Sequence, residues 1–320
     1  MWEATVRVTR EQQVGADPRK TWALASAPAA LSAMPGQRFA FAVPAAVPGT
    51  DRLSCTIVSA KENVHCAVLD VREEVPGQLI CWQVRSAPAR KETLTLSVRP
   101  RPGGCTLGVA VSEVVPRMAK GSYQRYWRRT VGDWAGRLQG VAEGRMPWPP
   151  DAMPAEMREA CAGFPLPKKT GQASASVLIN AGADVVWETL WTAGSARLVD
   201  PETVVWAGTV PGTPLRAAGE LQCSVSRHPD DRFTADVHVV RELDEGRRVV
   251  TQRIGTPDTE ILHLLTPVPD GTRLELTARW PTPPVSKADA TREADTIAAH
   301  LQATAEAYKD TIEKAGPPPS

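Results

Sequence analysis

One pattern is written into this chain twice. GADPRKTWALAS, from Gly15 to Ser26, has a cousin in GADVVWETLW, from Gly182 to Trp191. VPGT at Val47 recurs at Val210, LSCTIV at Leu53 recurs as LQCSVS at Leu221, and VREEVPGQLICWQV at Val71 recurs as VRELDEGRRVVTQR at Val240. Pro100, Gly104 and Leu107 are matched by Pro267, Gly271 and Leu274. The parts return in the same order about 163 to 169 residues later. Solenoid repeats are far shorter, so this is the duplication of a whole domain. The 320 residues accordingly divide into a first domain at 1–144, a linker at 145–170, a second domain at 171–316 and a tail at 317–320. Each half is of ordinary domain size, and 42% hydrophobic against 23% charged residues gives each enough apolar side chains for a core. RMPWPPDAMPAEMREACAGFPLPKKTGQ between them carries six prolines from Arg145 to Thr170, which prevents continuous helix or sheet and favours a semi-rigid connector.

Both copies of the opening pattern read as a strand followed by a short helix. Alternating β-branched residues mark the strands at Ala4 to Val14 and Ser174 to Ala181. Val186, Leu190 and Trp191, and in the other copy Trp22 and Ala25, then fall at helical spacing, and Asp17 before Pro18 supplies an N-cap. Strand patterns crowd between about residues 38 and 113 and between about 203 and 280, broken by the turn signals VPGQ, RPGG and PDGT. A long amphipathic helix closes each half. Tyr123, Trp127, Val131, Trp134, Leu138 and Val141 line one face of the first, and Ala294, Ala298, Leu301, Ala305, Tyr308 and Ile312 one face of the second. The class is therefore α+β, with the order strand, short helices, about six antiparallel strands, long helix, used twice.

That order, together with the stretches Asp17 to Trp22 and Gly182 to Trp187 that open the first helices, resembles the SRPBCC superfamily (START-like, helix-grip fold). The resemblance covers nearly the whole chain and implies two tandem helix-grip domains. In each, a curved antiparallel sheet wraps a long C-terminal helix and leaves a cavity between them. The superfamily includes lipid carriers, hormone receptors, oxygenase subunits, chaperone activators and polyketide aromatase/cyclases, and some of the last have two tandem domains. Fold alone does not choose among these.

Several chemistries are excluded by residues. No two-histidine, one-carboxylate iron set accompanies a cysteine/histidine cluster, and no CxxC or CxxC…HxxxH spacing exists among six cysteines and five histidines, so no metal or cofactor is expected. The cysteines read as small buried hydrophobes. GGCTLG at Gly103 lacks the Lys-Ser/Thr of a phosphate loop, and neither a GxSxG elbow nor a GxGxxG fingerprint occurs. No basic run interleaved with aromatics suggests nucleic acid. With no apolar run of about 18 residues and no leader pattern, a cytoplasmic location without a membrane span is expected.

The informative question is which polar side chains face the two cavities. Leu94, Leu96 and Val98 should point inward, and the matching residues of the second half are Ile261, His263 and Leu265. Thr251 stands opposite Trp82, and Arg253 opposite Val84. In VHCAVLDV the series Val64, Cys66 and Val68 ends in Asp70, against Phe233, Ala235, Val237 and Val239. His263 and Arg253 are thus the candidate catalytic pair, the arginine polarising a ligand carbonyl while the neutral imidazole moves a proton. Thr251, Asp70, Trp82, Trp127, Trp134 and Leu301 are candidate ligand contacts. The aromatic stripe of the first long helix reads either as core or as a stacking platform, and its bulk predicts that the second cavity is the roomier. Residues 1–144 hold 19 Lys and Arg against 12 Asp and Glu, net +7, while residues 171–320 hold 14 against 21, net −7. The basic helix face with Arg125, Arg128, Arg129 and Arg137 would suit an acidic carrier protein. Two functions fit: a hydrophobic-ligand binder acting as a polyketide-type cyclase/aromatase, or a non-enzymatic carrier or partner-binding module.

Overall fold

A computed structural model describes residues 2–43, 53–60, 63–85, 92–148, 170–191, 195–210, 217–230, 232–253, 259–282 and 286–315. They form two compact units of the same design. In the first half the elements are β1 (Glu3–Val14), α1 (Pro18–Ser26), α2 (Ala29–Ser32), β2 (Gln37–Val43), β3 (Leu53–Ala60), β4 (Asn63–Val75), β5 (Leu79–Val84), β6 (Glu92–Arg101), β7 (Gly104–Pro116) and α3 (Lys120–Ala142). In the second they are β8 (Thr170–Ile179), α4 (Ala183–Trp191), α5 (Ser195–Val199), β9 (Val204–Val210), β10 (Leu221–Arg227), β11 (Phe233–Asp244), β12 (Arg248–Arg253), β13 (Glu260–Val268), β14 (Gly271–Pro281) and α6 (Lys287–Ala315).

Each half builds a seven-stranded antiparallel sheet, β1-β7-β6-β5-β4-β3-β2 in the first and β8-β14-β13-β12-β11-β10-β9 in the second. The long helix α3 packs on β1 and β7, and α6 packs on β8 and β14. Both halves are therefore helix-grip folds, and the chain is α+β as its element order implies. None of the described helices is long and apolar enough to cross a membrane. The central part of the expected linker, residues 149–169, and the expected tail at 317–320 lie outside the described residues, as do the VPGT repeats from 47 to 50 and from 211 to 213.

Local chemistry explains the matching geometry. The Asp17 carboxylate accepts the backbone N–H groups of Arg19 and Lys20 at 2.7 and 3.2 Å, capping a helix whose first residue is Pro18. Gly104 and Gly271 open β7 and β14 at φ of 150° and 131°, and a Cβ at either would stand 2.1 Å from the carbonyl oxygen of Val14 or Ile179. No other residue permits the last strand to start so close to the first. A bulge interrupts β4 after Val71 against β5, and its counterpart interrupts β11 after Val240 against β12.

The interior of the first half is filled by aromatics. Trp82 and Trp134 have no exposed surface, Trp127 has 5%, and they pack with Leu96, Val109 and Val131. Burying rings of this size contributes roughly 4 to 6 kcal/mol of transfer free energy each. Their polar edges are partly met, since the Trp134 Nε1–H donates to the Ala30 carbonyl at 2.8 Å and the Trp127 Nε1–H to Glu113 at 2.6 Å. The second interior is lined by smaller side chains at the helix, with Leu301 and Ala305 buried and Ala294 and Ala298 packed against the same cluster.

Candidate functional site

In the second half, a cavity of about 340 Å³ opens between the sheet and α6. That volume lies in the range of small-molecule sites. Its helix side is Leu301, Thr304, Tyr308 and His300, and Ala196 and Val199 of α5 line it together with Asp200, which follows that helix. Its sheet side carries Gln222, Ser224 and Ser226 of β10, Asp236 and His238 of β11, Thr251 of β12, Ile261 and His263 of β13 and Leu276 of β14. Val249 pairs with His263 and Thr251 with Ile261, so residues that share this face alternate along each strand.

His263 stands deep in this arrangement. Its ring meets the edge of Trp191 with centroids 4.9 Å apart, and its Nδ1 is buried without a hydrogen-bond partner. Burial, with a smaller contribution from His238, pushes its pKa down to about 3. Burial likewise lowers His238 to about 4, against the opposing charge of Asp236 and with that of Arg253. Both imidazoles are neutral at pH 7 and can each donate one hydrogen bond and accept another. A buried polar atom without a partner is costly, and an oxygen or nitrogen of a bound molecule is the partner this geometry invites.

Register shows what distinguishes the two halves. The first sheet presents Ala67, Leu69, Trp82, Val84 and Leu96 to its core cluster. Matched through the repeated segments, the second sheet has Asp236, His238, Thr251, Arg253 and His263. Five apolar positions have become polar on one face of one sheet. On the roof, Trp127 and Trp134 correspond to Ala294 and Leu301. Space and polarity therefore occur together in the second half.

The expected site residues are placed as follows. His263, Thr251 and Leu301 line the cavity. Arg253 does not: it closes β12 opposite His238 with its side chain 43% exposed, and its guanidinium is ion-paired with Asp236. The pairing of Arg253 with a ligand carbonyl beside His263 is thus not formed, because the carboxylate on the neighbouring strand takes the charge. Asp70 also departs from expectation. The first interior receives Leu69 and Val71, so Asp70 points to the opposite face, where it is 3% exposed with Arg85 Nε at 3.5 Å. The inward series on β4 and β11 is therefore one residue out of step with the sequence reading, and the side chains of Val64 and Cys66 lie outside the described residues. Trp82, Trp127 and Trp134 belong to the packed core of the first half.

His238 and Asp236 are among the residues that sequence reasoning missed, with Asp200 and His300. Val237, Val239 and Val240 are all buried, so both faces of β11 are covered and alternation cannot name the inner one. A usable signal was present in LQCSVSR, where Gln222, Ser224 and Ser226 alternate with buried Leu221, Cys223 and Val225 and mark a polar inner face.

No protein-family profile matches the chain, and no curated protein sequence does. Among solved structures it is similar to the di-domain ARO/CYC StfQ from the steffimycin biosynthetic pathway, at 12% identity and a TM-score of 0.38 over 96% of this chain and 99% of that one. It is also similar to the di-domain ARO/CYC BexL from the BE-7585A biosynthetic pathway, at 16% identity and 0.35 over 98% and 99%. The Zhui aromatase/cyclase from a Streptomyces species matches 44% of this chain over 96% of its own, at 13% identity and 0.37. Likeness at this level carries no argument about the site. What the fold and site define on their own is a tandem helix-grip protein whose second half encloses a polar-faced cavity.

Proposed function

We propose that this protein binds a hydrophobic small molecule in the second-domain cavity, with His263 as its hydrogen-bonding anchor. The first domain, its interior occupied by tryptophans, serves as support, and residues 145–170 connect the two. The observation that carries this reading is a cavity of about 340 Å³ lined by His263, an imidazole whose Nδ1 has no hydrogen-bond partner among the described residues. Apolar surface from Ile261, Leu276 and Leu301 would take the body of the ligand. The cysteines Cys55, Cys81, Cys105 and Cys223 are free thiols, which suits a reducing compartment such as the cytoplasm.

A second reading, turnover of the polyketide cyclase/aromatase kind, is favoured by one observation. His238 and His263 present two neutral imidazoles to the same cavity, so one can donate a hydrogen bond to a ligand carbonyl while the other accepts a proton. An acidic carrier protein at the arginine face of α3 would deliver such a substrate. Native mass spectrometry of the purified protein tests the first reading: a retained small-molecule mass supports it, and an empty protein opposes it. His263→Ala separates the two, since loss of turnover with binding retained argues for catalysis and loss of binding alone argues for a carrier.

A further inference from the structure

Among the described residues lining the cavity, Asp200 and Asp236 are the carboxylates, and none is Lys or Arg. Each stands where the first half is apolar. Asp236 corresponds to Ala67, and Asp200, before Pro201, corresponds to Met34, before Pro35, which is buried in the first core. The Asp200 carboxylate accepts bonds from the Thr203 backbone and hydroxyl, which hold its pKa below the ordinary value and keep it charged. The Asp236 Oδ1 accepts a hydrogen bond from the Arg253 guanidinium, while its Oδ2 has no partner among the described residues. The pair is partly exposed, with the Arg253 and Asp236 side chains at 43% and 34%, and of the two Asp236 lines the cavity. Burial keeps His238 and His263 uncharged, so these two do not offset the acids.

We propose that this cavity selects its ligand by charge, accepting an apolar body that carries a protonated amine at the Asp236 end and rejecting a carboxylate of the same shape. The inference rests on the small-molecule reading above. An ammonium at that end meets the free Oδ2 of Asp236 in a charge-assisted hydrogen bond. A carboxylate there meets an oxygen that can only accept and the nearby charge of Asp200, with Arg253 already committed to Asp236. Such juxtaposition is how a site discriminates between ligands of one shape.

Three probes with a common ring separate charge from shape: 2-naphthylmethylamine, 2-naphthylmethanol and 2-naphthoate, titrated calorimetrically into the full chain at pH 7.5. The amine should bind about tenfold tighter than the alcohol, and the carboxylate about tenfold weaker, one decade being the scale of a single modest charge interaction. Asp236→Asn leaves Arg253 without its counter-ion, so the order should reverse in favour of the naphthoate. A far-UV circular dichroism spectrum and a melting temperature close to those of the wild type report that the variant keeps its fold. If amine and alcohol bind alike, or Asp236→Asn leaves the order unchanged, charge selection is wrong while the cavity reading stands. If none of the three binds, both fall.

Discussion

Acid should unfold the second domain through His238 and His263 of its cavity. In the unfolded chain each imidazole titrates near its ordinary 6.5, whereas in the fold burial holds His263 at about 3 and His238 at about 4. As pH falls through 6.5 the unfolded chain takes up protons that the folded one refuses, so stability falls with pH until the folded values are reached. At pH 4.5, two units below the unfolded value, each histidine accounts for about 2.5 kcal/mol relative to pH 7.5. That is a large part of the stability of an ordinary domain. Carboxylates titrate over part of this window, so the effect is isolated by His263→Leu, which restores the residue type of Leu96 in the first half. Urea unfolding followed by tryptophan fluorescence at pH 7.5, 6.5, 5.5 and 4.5 gives both slopes. The wild type should lose about 2.5 kcal/mol more than the variant between the extremes. Equal losses would refute the buried, neutral state of His263.

Other perturbations follow from the same geometry. Leu301→Trp places at the second roof the residue that Trp134 supplies in the first, so it should abolish probe binding in calorimetry while changing stability by no more than about 1 kcal/mol in either direction. Gly271→Ala sets a Cβ against the Ile179 carbonyl oxygen at a φ of 131°, and thermal melts should show a loss of about 3 kcal/mol or more. Asp17→Ala removes the cap of α1 and should cost about 1 kcal/mol in the same assay, with binding in the second domain unaffected.

The duplication made the fold legible. A strand, two short helices, six strands and a long helix recur in matched order, and the apolar stripes of α3 and α6 fixed which helix each sheet grips. His263 was equally readable, because β13 lies beside β14 and β6 beside β7 in the same register, so Leu96 is a sound guide to its position. The strands β4 and β11 were not readable by alternation. Val68 and Leu69, neighbours on opposite faces, are both buried, and the same holds for Val239 and Val240. When both faces are covered, period two carries no sign, and a bulge one or two residues later removes the remaining reference. His238 was hidden and Asp70 promoted by that single ambiguity. The fate of Arg253 depended in turn on Asp236, whose inward face the same ambiguity concealed, so its ion pair could not be foreseen from β12 alone.

The account stands on a ligand meeting the ring of His263. Chain labelled with ¹⁵N at histidine, titrated with 2-naphthylmethanol, reports this directly through the imidazole nitrogens. Saturable shifts at His263 and His238, with the exposed ring of His228 unmoved, are the expected result. A His263 signal indifferent to the probe while His228 responds would contradict it.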